Sequence, residues 1–354
     1  MAKPHDDYAP LPKFLEAFPD VSGNTVNGLG ETKPRLASPF FWHPHSKQAF
    51  GELQDAVLEH HRLSAGVRAT YSPKAPRGPR AVDQAPHKIE NDAADWTAAI
   101  KKFALENEAD LVGIVPMNPD YVFDGYEINE PWIVMIGVAM DHERLNAAPD
   151  SLEEPTSAVE VGEQYNRAAR VSRNLANYIM EQGHYAKAYA GPYASALLMI
   201  PPAIAAGFGE LGKHGSLIHP ELGASFRPGF VTTTMPLALD APYHFGVQDV
   251  CSKCNICTMN CPADAIPAPE DFITTEGVKR WITDVQKCYT VSRLREQYCH
   301  ICVDVCPYVH KENGDAERKA LYKQYMGVRK KVGYRTPAWW PEDPPPHVKK
   351  ALGE

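Results

Sequence analysis

Cys251-Ser-Lys-Cys254-Asn-Ile-Cys257-Thr-Met-Asn-Cys261-Pro262 is followed, after a gap, by Cys288 and then by Cys299-His-Ile-Cys302-Val-Asp-Val-Cys306-Pro307. All eight cysteines of the 354-residue chain fall within this stretch. The spacing reads C-x2-C-x2-C-x3-C-P, then C-x10-C-x2-C-x3-C-P. Two-residue gaps let a short loop bring three thiolates onto one cubane, while the fourth cysteine, set back and followed by proline, is directed at another.

This is the two-cluster ferredoxin pattern. It assigns Cys251, Cys254, Cys257 and Cys306 to one [4Fe-4S] cluster, and Cys261, Cys288, Cys299 and Cys302 to a second. The ten-residue gap after Cys288 requires that ligand to return from a separate segment. Zinc knuckles and disulfide frameworks are the competing readings. Zinc sites rarely use the x2-x2-x3-P run, and disulfides scatter cysteines through small secreted domains.

Outward from the cysteines, the totals describe an ordinary chain long enough to bury a full core. Its 32 prolines imply many pinned, irregular connections. Lys plus Arg number 36 against 44 Asp plus Glu, a formal charge of -8, which argues against a nucleic-acid partner. Met1-Ala-Lys-Pro-His-Asp-Asp has neither a twin arginine nor an apolar signal core, and the longest apolar runs are too short or proline-broken to span a bilayer. The expectation is a cytoplasmic protein without a membrane span.

The chain divides into an arm and helix over 1–90, an α/β (α+β) core over 91–245, the cluster module over 246–315 and a helix and tail over 316–354. Within the arm, Ser46 is placed to cap a helix bearing Phe50, Leu53 and Val57. Residues 72–86 read as a linker or surface wrap. In the core, Trp96, Ile100 and Phe103 recur at helical spacing, and Leu111–Val115 follows as a strand. Trp132–Met140 reads as a strand buried on both faces. Ser157-Ala-Val-Glu160 reads as a capping box opening a helix with Tyr165, Ala168, Ser172, Leu175 and Ile179 on one face and Gly183 as its stop. Strands are expected at Tyr185–Tyr189 and Phe230–Thr234, and a helix from Pro201 to Gly212. A basic helix, Arg318–Lys331, precedes the Trp339-Trp340 tail, which is either a homodimer contact or packed on its own body.

Gly207-Phe-Gly209-Glu-Leu-Gly212 matches G-x-G-x-x-G, but a preceding strand is missing, so a dinucleotide site is disfavoured. The glycines suit close approach of backbone to something bulky. The 14 histidines show no H-x3-H or H-E-x-x-H spacing. By position alone Tyr165 is a core tyrosine and Arg227 a surface cation.

The chain resembles the cobalamin-dependent reductive dehalogenases, a family related to epoxyqueuosine reductase. The likeness is carried by Ala109–Pro116, Trp132–Asp141, Pro202–Gly223 and the double cysteine motif, with Gly-Glu-Leu-Gly-Lys-His-Gly as its discriminating part. It implies a nitroreductase-like core holding base-off cobalamin, largely by backbone contacts from Gly207, Gly209, Glu210, Leu211, Gly212, Lys213, His214, Gly215, Leu217, Ile218 and His219, with the ferredoxin-like module delivering electrons. It implies reductive dehalogenation of an organohalide at Co(I), with Tyr165 as proton donor and Arg227 as its cation. A cation beside a phenol favours the phenolate.

The sequence also departs from the family. It lacks the twin-arginine leader of respiratory members. It also lacks the trailing flavin reductase domain of some cytoplasmic ones, so an external ferredoxin or flavin reductase is the expected donor. Ala190-Gly-Pro-Tyr-Ala-Ser195 replaces an Asn-containing pocket stretch and leaves the substrate open. Three alternatives stand: a same-fold reductase of a non-halogenated substrate, an epoxyqueuosine-type enzyme acting on a tRNA base, and a non-catalytic electron carrier.

Overall fold

The computed structural model describes residues 36–37, 63–145, 150–151, 153–189, 196–243, 245, 247–252, 254–271, 273–275, 278–285, 287–288 and 297–308. The Ser46 helix, the 190–195 stretch, the Arg318–Lys331 helix and the Trp339-Trp340 tail lie outside the described residues.

In chain order the described elements are helices α1 (Ala65–Tyr71) and α2 (Ala93–Glu106), strands β1 (Leu111–Pro116) and β2 (Trp132–Ala139), and helix α3 (His142–Leu145). Strand β3 (Asp150–Ser151), helix α4 (Thr156–Glu181), strand β4 (Ala186–Tyr189) and helix α5 (Ile200–Ala205) follow. Strands β5 (Glu210–Leu211), β6 (Leu217–Ile218) and β7 (Phe226–Thr233) lead to helices α6 (Val247–Cys251) and α7 (Ile256–Asn260). Strands β8 (Ile273–Thr275), β9 (Val278–Arg280) and β10 (Gln297–Tyr298) and helix α8 (Ile301–Asp304) complete the set.

The core is a four-stranded sheet of order β1-β2-β7-β4, antiparallel throughout, so the fold is α+β. Strand β2 is buried along its length because alternate side chains serve two cores. Val134 and Ile136 face Trp96 and Ile100 of α2 and Leu175 and Ile179 of α4. Ile133 and Met135 face Ala203 of α5 with Phe208, Phe226 and Phe230. Two-sided burial of the apolar run is as its sequence predicts.

Strand β7 starts at Phe226, four residues before the expected Phe230. Arg227 and Pro228 interrupt the apolar pattern there, yet β2 pairs with β7 along its whole length. Among the described residues β4 pairs only with 230–233, leaving 226–229 as an edge where a proline, which has no N–H to donate, is tolerated.

Two helix boundaries depart from expectation. The capping box does not form. Helix α4 begins after Pro155 and has no side-chain cap, and Ser157 and Glu160 lie buried inside its first turns. Glu160 accepts instead from Asp141 N (2.7 Å) and pairs with Arg144, fixing the end of β2 to α4. The helix expected from Pro201 to Gly212 stops at Ala205. Gly207 takes φ +82°, its N–H bonds Ile204 O and Phe208 N bonds Ala203 O, the double closure that terminates a helix with a left-handed residue.

Residues 72–86 are a surface wrap along α4. Val82 N donates to Asn177 Oδ1, and Ala85 N donates to Met180 O. On its sheet side α4 packs closely at Gly229, where a Cβ would stand 3.2 Å from Ser172 Oγ and 3.4 Å from Ala168 Cβ. The cluster module is tied back to the core by β10 pairing with β3, with Tyr298 buried against Val67 and Ala158.

Candidate functional site

Tyr165 and Arg227, 62 residues apart in sequence, meet where α4 crosses the sheet. Arg227 sits on β7 opposite Val138 of β2. Its Nη1 donates to the Tyr165 oxygen at 3.4 Å, and its guanidinium carbon lies 4.5 Å from the ring centroid. Nη2 approaches Met140 Sδ at 3.8 Å, while the buried Nε has no protein partner. The arrangement presents a phenol proton with a fixed cation beside the oxygen that would bear the charge after transfer.

A small cleft beside Tyr165 is lined by Tyr189, Met199, Pro228, Gly229 and Phe230. Tyr189 stacks on Phe230 with centroids 4.5 Å apart. Burial raises the Tyr189 phenol above its ordinary range, with Lys187 acting in opposition, so this second tyrosine keeps its proton.

The glycine-rich segment folds as the β5–β6 hairpin. Gly209, at φ +125°, has the Ile218 carbonyl oxygen where a Cβ would stand, so this glycine serves the hairpin itself. Gly212 N donates to Ser216 O, and Gly215 N closes the turn on Gly212 O. Leu217 packs into the core with Phe208 and Phe226, and Ile218 packs towards the cluster module with Val247 and Cys251. Beside Leu211, the Glu210 carboxylate accepts from Phe245 N (2.8 Å) and Val247 N (3.1 Å), clamping the hairpin to the start of α6.

The two histidines of the segment are both turned into local structure. His219 Nδ1 accepts from Glu221 N and Leu222 N, and His214 Nδ1 accepts from Ser216 N. That bond leaves His214 Nε2 as the protonated nitrogen, and it is buried without a protein partner, as is Ser225 Oγ. Burial first, and the Lys213 charge second, push the His214 pKa down to about 4, so the ring is neutral. Together with Arg227 Nε, these orphaned polar atoms stand along residues 214–227. They fit a large ligand rich in hydrogen-bonding groups, as the amide-bearing rim of a corrinoid is.

All eight cysteines are free thiols in the structure. Cys251, Cys254, Cys257 and Cys306 are buried, whereas Cys261, Cys288, Cys299 and Cys302 are partly exposed. Burial is the main reason the Cys306 thiol stands well above its usual range, and the neighbours that raise it further are Cys251, Cys257 and Cys254. For Cys302 burial again leads, followed by Cys288, Cys299, Cys257 and Cys261. Cys251 and Cys257 are pushed up to about 11 and about 12, mainly by burial. Among the described residues no three His, Cys, Asp or Glu side chains converge as for a single ion. Thiols that do not converge on one point suit cubanes, whose ligands sit on separate irons.

Residues 250–309 match the 4Fe-4S double cluster binding domain. The tetrachloroethene reductive dehalogenase of Sulfurospirillum multivorans is 31% identical over 182 residues, covering 50% of this chain and 35% of that protein. Over half of its length the chain is thus similar in sequence to a reductive dehalogenase. A solved catabolic reductive dehalogenase superposes with a TM-score of 0.60 at 23% identity, covering 79% of this chain and 39% of that one, which establishes the shared fold. The epoxyqueuosine reductase of a Synechococcus species is 31% identical over 123 residues, 30% of this chain and 34% of that protein. The chain thus spans about a third of the length of these curated relatives. Among the described residues, no helix is long and apolar enough to cross a membrane.

Sequence reasoning reached Tyr165 and Arg227 only through family resemblance, whereas the glycine spacing of 207–212 pointed by itself to a close backbone approach. It missed Met140, Asn255 and Thr258, which touch Arg227 or Lys213. Asn255 and Thr258 each follow a cluster cysteine directly, which is the one signal the sequence offered.

Proposed function

We propose that the chain is the reducing unit of a corrinoid iron–sulfur enzyme that replaces halide by hydrogen on an organohalide. A carbon–halogen bond breaks and a carbon–hydrogen bond forms, two electrons and one proton are consumed, and halide leaves. When bound, the corrinoid supplies the low-potential metal that accepts electrons singly and delivers them to the carbon–halogen bond. The contact of Arg227 with the Tyr165 oxygen carries the reading.

Tyr165 delivers the proton to carbon from its phenol oxygen, and Arg227 holds the charge left behind. The apolar and aromatic wall of Tyr189, Met199 and Phe230 orients the substrate and excludes water. Residues 207–219 and the orphaned donors at 214–227 hold the corrinoid base-off. Cys251, Cys254, Cys257 and Cys306 carry one [4Fe-4S] cluster, and Cys261, Cys288, Cys299 and Cys302 the other. The hydrogen bond from Lys213 N to Cys251 Sγ (3.4 Å) supports placing the first set beside the corrinoid. Partial exposure of Cys261, Cys288 and Cys299 supports that set's facing an external ferredoxin or flavin reductase, although the Cys302 thiol itself is buried.

Anaerobic reconstitution with cobalamin, an absorption spectrum after desalting, and halide release from a panel of halogenated phenols and ethenes test this reading. Retained corrinoid and released halide are expected. Intact clusters with no retained corrinoid would overturn it. The epoxyqueuosine reductase similarity supplies the second reading, and turnover on a modified tRNA stem-loop instead of the organohalides would favour it.

A further inference from the structure

Lys213 is a lysine in the interior, 1% exposed. Its Nζ donates to Thr258 Oγ1 at 2.7 Å and reaches Asn255 Oδ1 at 3.5 Å. The Thr258 hydrogen is committed to Pro267 O at 2.7 Å, so the hydroxyl meets Lys213 with a lone pair, and the nitrogen supplies the hydrogen. Asn255 follows Cys254 and Thr258 follows Cys257, while the backbone N of Lys213 itself donates to Cys251 Sγ. The ammonium is therefore anchored by the residues next to two thiols and lies one residue's reach from a third.

Burying an ammonium costs several kcal/mol unless opposite charge is near. Four thiolates on a cubane provide that charge, and one-electron reduction adds another negative charge at the same place. A cation fixed there favours the reduced form, because cluster potential follows net charge and hydrogen bonding at sulfur.

We propose that Lys213 is a positioning residue for electron transfer: its buried ammonium raises the reduction potential of the cluster held by Cys251, Cys254, Cys257 and Cys306, making this cluster the preferred resting place for an electron passed inward. The step is a single-electron reduction of the cubane, with the electron supplied by an external one-electron donor and no proton moved. This rests on the two-cluster reading above.

The test is an EPR-monitored redox titration of the reconstituted protein with Lys213→Met and Lys213→Arg variants. Iron analysis of the wild type comes first, and fewer than about eight irons per chain would defeat the cluster reading before the role of Lys213 is asked. With both clusters present, Lys213→Met should disfavour reduction of one cluster at least tenfold, a fall of about 59 mV for a one-electron couple, with the other cluster little changed. Lys213→Arg should restore most of the shift. Unchanged potentials in Lys213→Met with full iron would overturn the proposal. If Lys213→Met does not retain iron, Lys213→Gln decides, since it keeps a hydrogen-bond donor on the side chain and removes the charge. A lowered potential in Lys213→Gln upholds the assignment, and an unmoved one removes it.

Discussion

Arg227 of β7 lies over the ring of Tyr165 of α4 and donates to its phenol oxygen, so one cation contacts both the ring face and the hydroxyl. The proton-donor role proposed for Tyr165 is tested cleanly by removing only the hydroxyl. Tyr165→Phe is expected to keep corrinoid and clusters bound while turnover falls on the order of 10²–10⁴-fold. Arg227→Met should cost about 10²-fold. The double variant should be no worse than Tyr165→Phe, because residues acting as one unit are not additive. Halide release under single-turnover conditions reads all three.

The two proposed cysteine sets should be separable by mutation. Cys288→Ala should remove the cluster that includes Cys299 and Cys302 and leave about half the iron. Cys306→Ala should remove the other cluster. Iron analysis with EPR of each reduced variant checks the partition, and loss of both signals in either variant would contradict it.

Gly209→Ala puts a methyl group against the Ile218 carbonyl in a backbone conformation that alanine rarely adopts. A destabilisation on the order of 3 kcal/mol is expected, with weakened corrinoid retention as the hairpin shifts. Thermal melts in the presence and absence of cobalamin separate the two effects.

His214 makes the glycine segment acid-sensitive. Its folded pKa of about 4 lies below the unfolded value near 6.5, so between those values the opened segment binds more protons than the closed one. Stability is full above about pH 6.5, falls as pH drops, and levels off below about 4, with a total loss of up to about 3 kcal/mol. Amide exchange of residues 210–219, corrected for intrinsic rate, should show this slope in the wild type and lose it in His214→Gln.

Much of the fold was legible because β1, β2 and α2 have strong, simple periodicity, and the cysteine spacing is itself a geometric statement. The rest was hidden for identifiable reasons. Ser157 and Glu160 have capping-box spacing, but Glu160 is taken by Asp141 and Arg144, partners no local pattern shows. The start of β7 was obscured by Arg227 and Pro228, which break the apolar pattern although β2 pairs with them in full. Lys213 sat among expected corrinoid contacts, yet its side chain turns to Thr258, 45 residues away. Only tertiary contact brings that charge to Asn255 and Thr258, the residues that follow Cys254 and Cys257.

The close seat of α4 on Gly229 acts as a ruler for the Tyr165–Arg227 pair. Tyr165 lies one turn from Ala168 on the helix, and Arg227 lies two residues from Gly229 on the strand, so the distance between phenol and guanidinium is graduated by a packing contact that touches no reacting atom. Variation at 172 would shift the spacing of this pair, and with it the proposed proton delivery, while every residue lining the cleft stayed the same.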